Sequence, residues 1–350
     1  MRLPRPGGGA WHSEAAVLVG YLRDTPNGWT TSRMFTLYRS LSERRMGTLP
    51  VLLHRLFWLS EGVEPRQLEA ELGENRAETL KQEGILRYER GLVWASVRCF
   101  SYKGLYLLHD VSRAEQDFVY FGGDSRVMMD VVDGTLGKRR FGNSLDLCTG
   151  SGVQGIHLAR RSEQQVCVDL NPRAVAFAAL NACVNGLANV KSVQSDLFSN
   201  VTGRYDCISA NTPYVPLAHD PNAADLPLRG GDMGTEFTMR LIEALPNYLS
   251  EQGMAILYTS DPVVRGQPLL QRDLEQRFSH LPYRMDQILL FRNRPQTESQ
   301  RRHWRAHDLD AFDDCILLVR PGSPGQRSRR AWSSSFYWRT RLAARLAPRR

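Results

Sequence analysis

The chain has 350 residues, 42% of them hydrophobic and 23% charged, an ordinary balance for a globular protein and enough length for two cores. No stretch approaches the roughly 20 apolar residues of a membrane span, and MRLPRPGGGAWHSEAAVLVGYLRD at the start shows no signal-peptide cleavage site, so a cytoplasmic protein is expected. The net charge of +8 hints at nucleic acid until it is located. Residues 326–350 hold eight arginines and no acid; removing those eight from the 45 basic residues leaves 37, equal to the 37 acidic ones, so nucleic acid is possible but not favoured.

Six cysteines, Cys99, Cys148, Cys167, Cys183, Cys207 and Cys315, form no CxxC pair and mostly lie in apolar runs. They are expected as reduced core thiols, with no metal site and no disulfide scaffold. Residues 1–25 open on a flexible PRPGGG and then turn weakly helical. From Leu49 a compact unit is predicted: a helix in LPVLLHRLFWL, a second in EPRQLEAELG between Pro65 and Gly73, and a third from Asn75 to Leu86. A β-hairpin follows in LRYERGLVWASVRCFSY around Arg90-Gly91. Three helices and a two-stranded wing make a winged-helix-like α+β domain over residues 1–114. A DNA reader would carry basic and amide side chains on its third helix. Here Arg76 and Lys81 are offset by Glu78 and Glu83, which points to a substrate-side or packing module.

Residues 115–322 alternate apolar strands with amphipathic helices, the pattern of a doubly wound α/β sheet. Strands are predicted in NSLDLC, QVCVDL, VKSVQS, DCISA, MAILYT, RMDQILLF and DDCILLVR. Helices are predicted near VQGIHLARR, PRAVAFAALNACVNG, TEFTMRLIEALPNYLS and LLQRDLEQRF. No long helix separates the last two strands, so they are expected to close the sheet as an antiparallel hairpin. Residues 323–350 are expected as a basic, disordered tail, with Trp332, Phe336, Tyr337 and Trp338 available to an acidic partner or membrane surface.

The first of these strands runs directly into TGSGVQGIHLARR, where Gly150, Gly152 and Gly155 spell G-x-G-x-x-G between strand and helix. Glycines there let the backbone turn tightly and approach a ligand. Asp169 follows 19 residues after Gly150 at a strand end, placed to accept hydrogen bonds from both hydroxyls of an adenosine ribose; Asn171, before Pro172, is the better helix cap. One strand later Asp196 stands where it could accept from an adenine amino group, with an apolar neighbour for the ring. The fourth strand ends on Asn211-Thr212-Pro213-Tyr214, for which a dinucleotide enzyme has no use.

Together SLDLCTGSGVQGIHLA, VDLNPRAV, SDLF and ANTPYVP resemble the class I S-adenosylmethionine-dependent methyltransferases, and among them those with an Asn-Pro-Pro-Tyr-like motif, such as the HemK-type glutamine N-methyltransferases. PLRGGDMGTEFTMRLIEAL resembles the Gly-Gly-x-x-Gly stretch after that motif, and FVYFGGDSR behind a winged-helix-like unit resembles a bacterial branch of the same enzymes. The resemblance implies a seven-stranded methyltransferase sheet and S-adenosylmethionine as methyl donor. It implies a cofactor set of Asp146, Thr149, Gly150, Ser151, Gly152, Gly155, Asp169, Leu170, Asn171, Asp196, Leu197 and Asn211. Asn211 and Tyr214 become the expected catalytic pair, the amide oxygen accepting from a substrate NH2 and the ring supporting a planar group. Thr212, through its carbonyl, and Pro213 become expected substrate contacts. Thr212 departs from the family's proline, and because threonine does not fix φ the loop is expected to be less rigid.

The expected reaction is therefore N-methylation of an amide, amine or guanidino nitrogen on a small metabolite or a protein side chain. The alternatives are an rRNA or tRNA nucleobase methyltransferase, and a non-catalytic cofactor sensor. Gly123 and Ser125 in FGGDSRVMMDVV are contact candidates, with Asp124 expected as a helix cap. His303 and His307 have i,i+4 spacing but no third ligand, and Cys148-Thr149-Gly150 spoils a serine-hydrolase elbow at Ser151. The loop LAHDPNAADLPLRGGDMG is expected either to cover substrate or to be a surface excursion.

Overall fold

The structure is a computed structural model that describes residues 48–331 apart from 83, 112–116, 216–229, 232 and 296. The expected lead, most of the loop after the Asn211 motif, and residues 332–350 lie outside the described residues.

Helices α1 (Thr48–Phe57), α2 (Pro65–Leu72) and α3 (Glu74–Gln82) precede a hairpin of β1 (Leu86–Glu89) and β2 (Leu92–Ala95). Pro65 opens α2, where its missing N–H costs nothing, and Gly73 ends it with φ 90°. Arg90 and Gly91 both take positive φ (54° and 77°), as a two-residue hairpin turn with right-handed strands demands. The sequence pattern places the whole run to Tyr102 in this hairpin. Instead β3 (Val97–Tyr102) pairs with a further strand, β4 (Leu105–Asp110), around Lys103-Gly104.

The central sheet contains β5 (Phe141–Leu147), β6 (Ser162–Asp169), β7 (Val190–Gln194), β8 (Tyr205–Asn211), β9 (Leu249–Val264), β11 (Tyr283–Asn293) and β12 (Leu309–Pro321). Its order is β11-β12-β9-β8-β5-β6-β7, parallel except for β12, so the expected doubly wound α/β sheet with an antiparallel closing hairpin is present. The helices between them are α4 (Gly123–Leu136), α5 (Val153–Ala159), α6 (Pro172–Val184), α7 (Glu236–Tyr248), α8 (Leu269–Phe278) and α9 (Glu298–Ala306). Strand order reverses between β6 and β8 on either side of β5, which opens a crevice at the carboxyl ends of these strands.

Two strands of the central sheet were not expected. β10 (Gln267–Pro268) is a short pair with β9. β13 (Arg327–Ala331) joins the sheet edge parallel to β11, so the fold runs past the boundary placed at 322. The reason is polar pairing: Ser328 Oγ donates to the buried Asp286 (2.5 Å), and the Arg329 guanidinium lies 3.3 Å from the buried Asp313. An arginine that looks like solvated tail in sequence is a counterion to a strand carboxylate in space.

The boundary at 114 also softens. Leu52, Phe57 and Leu68 share one apolar cluster with Ala174, Phe177 and Val184 of α6. Two asparagines, Asn181 on α6 and Asn185 just after it, finish the free edge of β4. The Asn181 amide accepts from Leu108 N–H (2.7 Å) and donates to Leu108 C=O (2.9 Å) and Ser151 C=O (2.7 Å). Asn185, one turn on, pairs in the same way with Tyr106 (2.9 and 2.7 Å). These amides stand in for a neighbouring strand. Asn181→Ala would orphan three buried backbone groups and is expected to cost roughly 2–4 kcal/mol in denaturant unfolding; a loss below about 0.5 kcal/mol would contradict this account.

Candidate active site

The turn from β5 to α5 is built on left-handed backbone. Cys148, Gly150 and Gly152 have φ of 54°, 53° and 84°, so the chain coils outward and lays Thr149, Gly150 and Ser151 along the crevice wall. Gly150 also approaches the Tyr120 carbonyl, which a Cβ would meet at 3.5 Å. Gly155 serves a different need, because a Cβ there would lie 2.3 Å from Cys167 Sγ.

Asp146 holds this turn from beneath. Its carboxylate accepts from Ser209 Oγ and Thr149 Oγ1 (both 2.5 Å) and from Gly155 N–H (3.0 Å). Burial pushes its pKa up to about 6 against the pull of those donors. Asp146, Gly152 and Gly155, expected as cofactor contacts, therefore lie outside the cavity wall, because packing beneath the loop uses them.

Asp169, at the end of β6, accepts from Gly150 N–H (2.8 Å) and Asn171 N–H (3.0 Å), and burial raises its pKa. Asn171 caps α6 by accepting from Arg173 N–H (2.9 Å), as its sequence position implies. Its amide also donates to Asp117 C=O (2.9 Å). Asp110, at the end of β4, binds the Arg173 guanidinium through both oxygens (2.5 and 2.9 Å) and also accepts from Val119 N–H (2.9 Å). These bonds tie the 117–120 segment to the start of α6, and it forms one wall of the cavity. That wall, with Asp117, Phe118 and Tyr120, was missed in sequence; its signal was the FVYF run before the glycines.

Asp196 and Leu197, after β7, line the cavity from another side, Leu197 in left-handed backbone (φ 47°). Asp196 is exposed and sits 3.4 Å from Arg240 of α7. Arg240 and its neighbour Phe237 were not foreseen, since nothing local marks which helix residues reach a strand end.

Asn211 ends β8. Its Nδ2 donates to Asp124 Oδ2 (3.2 Å), and its Oδ1 is buried without a hydrogen-bond partner among the described residues. Tyr214 Oη donates to the same carboxylate oxygen (3.3 Å), and its ring lies 5.2 Å from that of Tyr258. Asp124 is thus not the helix cap the sequence suggested. Gly122 holds that position without a side-chain cap bond, and the Asp124 carboxylate accepts from the first-turn Ser125 N–H with one oxygen while the other reaches the motif. Ser125 lines the cavity; Gly123 does not.

The expectation of a looser loop at Thr212 is corrected. Thr212 N–H and Oγ1 both donate to Tyr258 C=O (3.1 and 2.8 Å), and Ser260 Oγ donates to Tyr214 C=O (2.8 Å). Hydrogen bonds to β9 supply the constraint that a proline ring would supply through φ, and a proline at 212 would lose both Thr212 bonds.

Behind Tyr214, Tyr258 Oη donates to Asp314 (3.1 Å), which also accepts from Asn293 (2.9 Å). Burial, opposed by the Tyr258 hydrogen bond and aided by the charge of Asp124, pushes Asp314 up to about 7. A carboxyl whose folded pKa is raised stabilises the fold below its unfolded value and loses that contribution as pH rises through about 7. Asp314→Asn is therefore expected to be more stable than the parent at about pH 8, by roughly 1–2 kcal/mol in thermal unfolding, with the gap narrowing as pH falls and closing near about pH 4. An equal gap at both values would count against a strained carboxyl.

The cavity measures about 510 Å³, the size range of small-molecule sites. It combines an acid at the end of β6, a hydroxyl at Ser151, apolar surface at Leu170 and Leu197, and the amide of Asn211; Ser151 Oγ and Asn211 Oδ1 are buried with no partner among the described residues. Among the described residues no helix is long and apolar enough to cross a membrane.

Residues 124–276 match the family described as methyltransferase small domain. The chain is 37% identical over 120 residues to a Methanocaldococcus jannaschii protein provisionally named a protein N5-glutamine methyltransferase, covering 33% of this chain and 60% of that one. It is 31% identical over 169 residues to a ribosomal protein uL3 glutamine methyltransferase of Xanthomonas campestris (45% and 53%). It is 32% identical over 127 residues to a release factor glutamine methyltransferase of Thermodesulfovibrio yellowstonii (32% and 44%). The chain spans about half the length of the curated relatives it matches. Among solved structures it resembles Methanocaldococcus jannaschii TYW2 in complex with AdoMet, at a TM-score of 0.39 and 15% identity, over 65% of this chain and 90% of that one.

Proposed function

We propose, for a chain whose residues 124–276 match the family described as methyltransferase small domain, that it transfers a methyl group from S-adenosylmethionine to the nitrogen of an amide, amine or guanidino group. One observation carries the reading: a buried amide oxygen at Asn211, without a hydrogen-bond partner among the described residues, on a side chain that lines a cavity whose opposite parts suit a nucleoside and an amino acid. A buried acceptor without a donor costs about 1–3 kcal/mol, which a bound N–H would recover.

The residues fit the cofactor. Asp169 would accept from the ribose hydroxyls with the lone pairs left over from Gly150 and Asn171. Leu170 and Leu197 would flank the adenine, Asp196 would accept from its amino group, and Thr149, Gly150 and Ser151 would meet the amino-acid end. When bound, the sulfonium supplies an already activated methyl group. The chain's own task is alignment. An amide nitrogen is a weak nucleophile because its lone pair is delocalised, so it must be held where it can pyramidalise. Asn211 Oδ1 would accept from it, Tyr214 would support its plane, and Pro213 would flank it. Thr212, pinned to Tyr258, keeps these groups in register.

Because the relatives are named for glutamine, a primary amide on a protein side chain is the favoured acceptor. The test is calorimetry with S-adenosylmethionine, then incubation with methyl-labelled cofactor and fractionated cell extract. Label that survives ribonuclease and appears in peptides as a methylated amide is expected. Label lost to ribonuclease would support a nucleobase acceptor, and tight binding with no transfer would support a sensor.

A further inference from the structure

We infer that Asp124 is a positioning residue whose carboxylate decides which end of the Asn211 amide meets the acceptor, and so confines the acceptor to groups that donate N–H. The inference deepens the transferase reading and rests on it. Asp124 stands in the first turn of α4, yet its side chain serves the motif at the end of β8. Oδ1 accepts from Ser125 N–H (2.8 Å), and Oδ2 accepts from both Asn211 Nδ2 (3.2 Å) and Tyr214 Oη (3.3 Å).

A carboxylate accepts and does not donate. An Asn211 amide turned over by half a rotation would press oxygen against oxygen at Asp124 and show an NH2 to the cavity. In the orientation present, the NH2 is satisfied, and the Oδ1 of this cavity-lining residue is buried with no partner among the described residues, free to accept from a bound N–H. The same carboxylate holds Tyr214, so one anion orders both groups that would flank the acceptor. The approach behind it is close: a Cβ on Gly122 would lie 1.9 Å from Tyr120 Oη and 2.7 Å from Asp124 Oδ1. The backbone at Gly122, with φ −143°, needs glycine there for space and not for conformation.

Asp124→Asn tests this by polarity. Its oxygen would stay on Ser125 N–H, which leaves its NH2 facing the NH2 of Asn211. Donor against donor favours an overturned Asn211, which then offers the acceptor a donor. Turnover is expected to fall about 100-fold, while cofactor affinity stays within about threefold. Asn211→Asp alone should be similarly impaired, since it sets two carboxylates together. The double variant, Asp124→Asn with Asn211→Asp, exchanges the two groups. The amide at position 124 then donates to the carboxylate at position 211, and an oxygen again faces the cavity. That pair is expected to recover at least about tenfold over either single change, a coupling that simple loss of packing would not produce.

Gly122→Ala is the second arm, for its Cβ would press on Asp124 Oδ1 and Tyr120 Oη while Asn211 and Tyr214 keep their own side chains; a fall in turnover of at least about tenfold at constant cofactor affinity is expected. The inference is overturned if Asp124→Asn turns over within about threefold of the parent, if the exchanged pair is no better than the worse single variant, or if folded Gly122→Ala is fully active. A parent protein that binds cofactor yet methylates nothing would instead remove the transferase reading, and this inference with it.

Discussion

Asn211→Ala is expected to lower turnover by about 10²- to 10³-fold, comparable to removing one preorganised hydrogen-bonding group from an active site, while S-adenosylmethionine binds within about threefold of the parent. The expectation follows from where the two ends of the side chain go. The NH2 is bound to Asp124, and the buried oxygen has no partner among the described residues. Truncation removes the one atom of that side chain left to face an acceptor. Single-turnover transfer of labelled methyl, set beside a calorimetric affinity, separates the two steps. Collapse of cofactor binding with normal turnover per complex would show that Asn211 holds the cofactor and not the acceptor.

Asp169→Ala should act in the opposite sense, weakening cofactor affinity by about 100-fold or more through loss of two or more charge-assisted hydrogen bonds. Asp169 does two things at once. It would meet the ribose, and it already binds Gly150 N–H and Asn171 N–H, fixing both the glycine turn and the start of α6. The variant should therefore also show faster amide exchange at Gly150. An unchanged affinity by calorimetry would place the nucleoside elsewhere in the crevice.

Legibility in the sequence follows how far each signal reaches along the chain. The strands and helices of the sheet carry their periodicity within each segment, and α8 occupies the predicted Leu269–Phe278. The Asn171 cap acts on Arg173, two residues away, and was readable. The helix α9 between the last two strands was not, because its residues are almost all polar and only Trp304 is buried. β13 escaped for a related reason. Its polar residues look like tail until Asp286 and Asp313, which need partners, are brought beside them.

The candidate site divides in the same way. Asn211, Tyr214, Asp169 and the glycine turn stand out because local backbone demands and their order along the chain are printed in the sequence. The partner of Asn211 is 87 residues away, and the constraint on Thr212 comes from the carbonyl of Tyr258, 46 residues on.

By itself, then, the sequence determined the alternation of strands and helices, the antiparallel closing hairpin, and the chemical types at the strand ends, while the strand order and the crevice at its reversal came from the folded sheet. Only the tertiary structure decided that Asp146 supports the turn from below, that Asp124 reaches the motif as well as its own helix start, and that the basic tail begins as a strand. The physical reason is that hydrophobic period and turn chemistry act between near neighbours, whereas a buried amide or carboxylate takes its partners from whatever the packed sheet brings within about 3 Å.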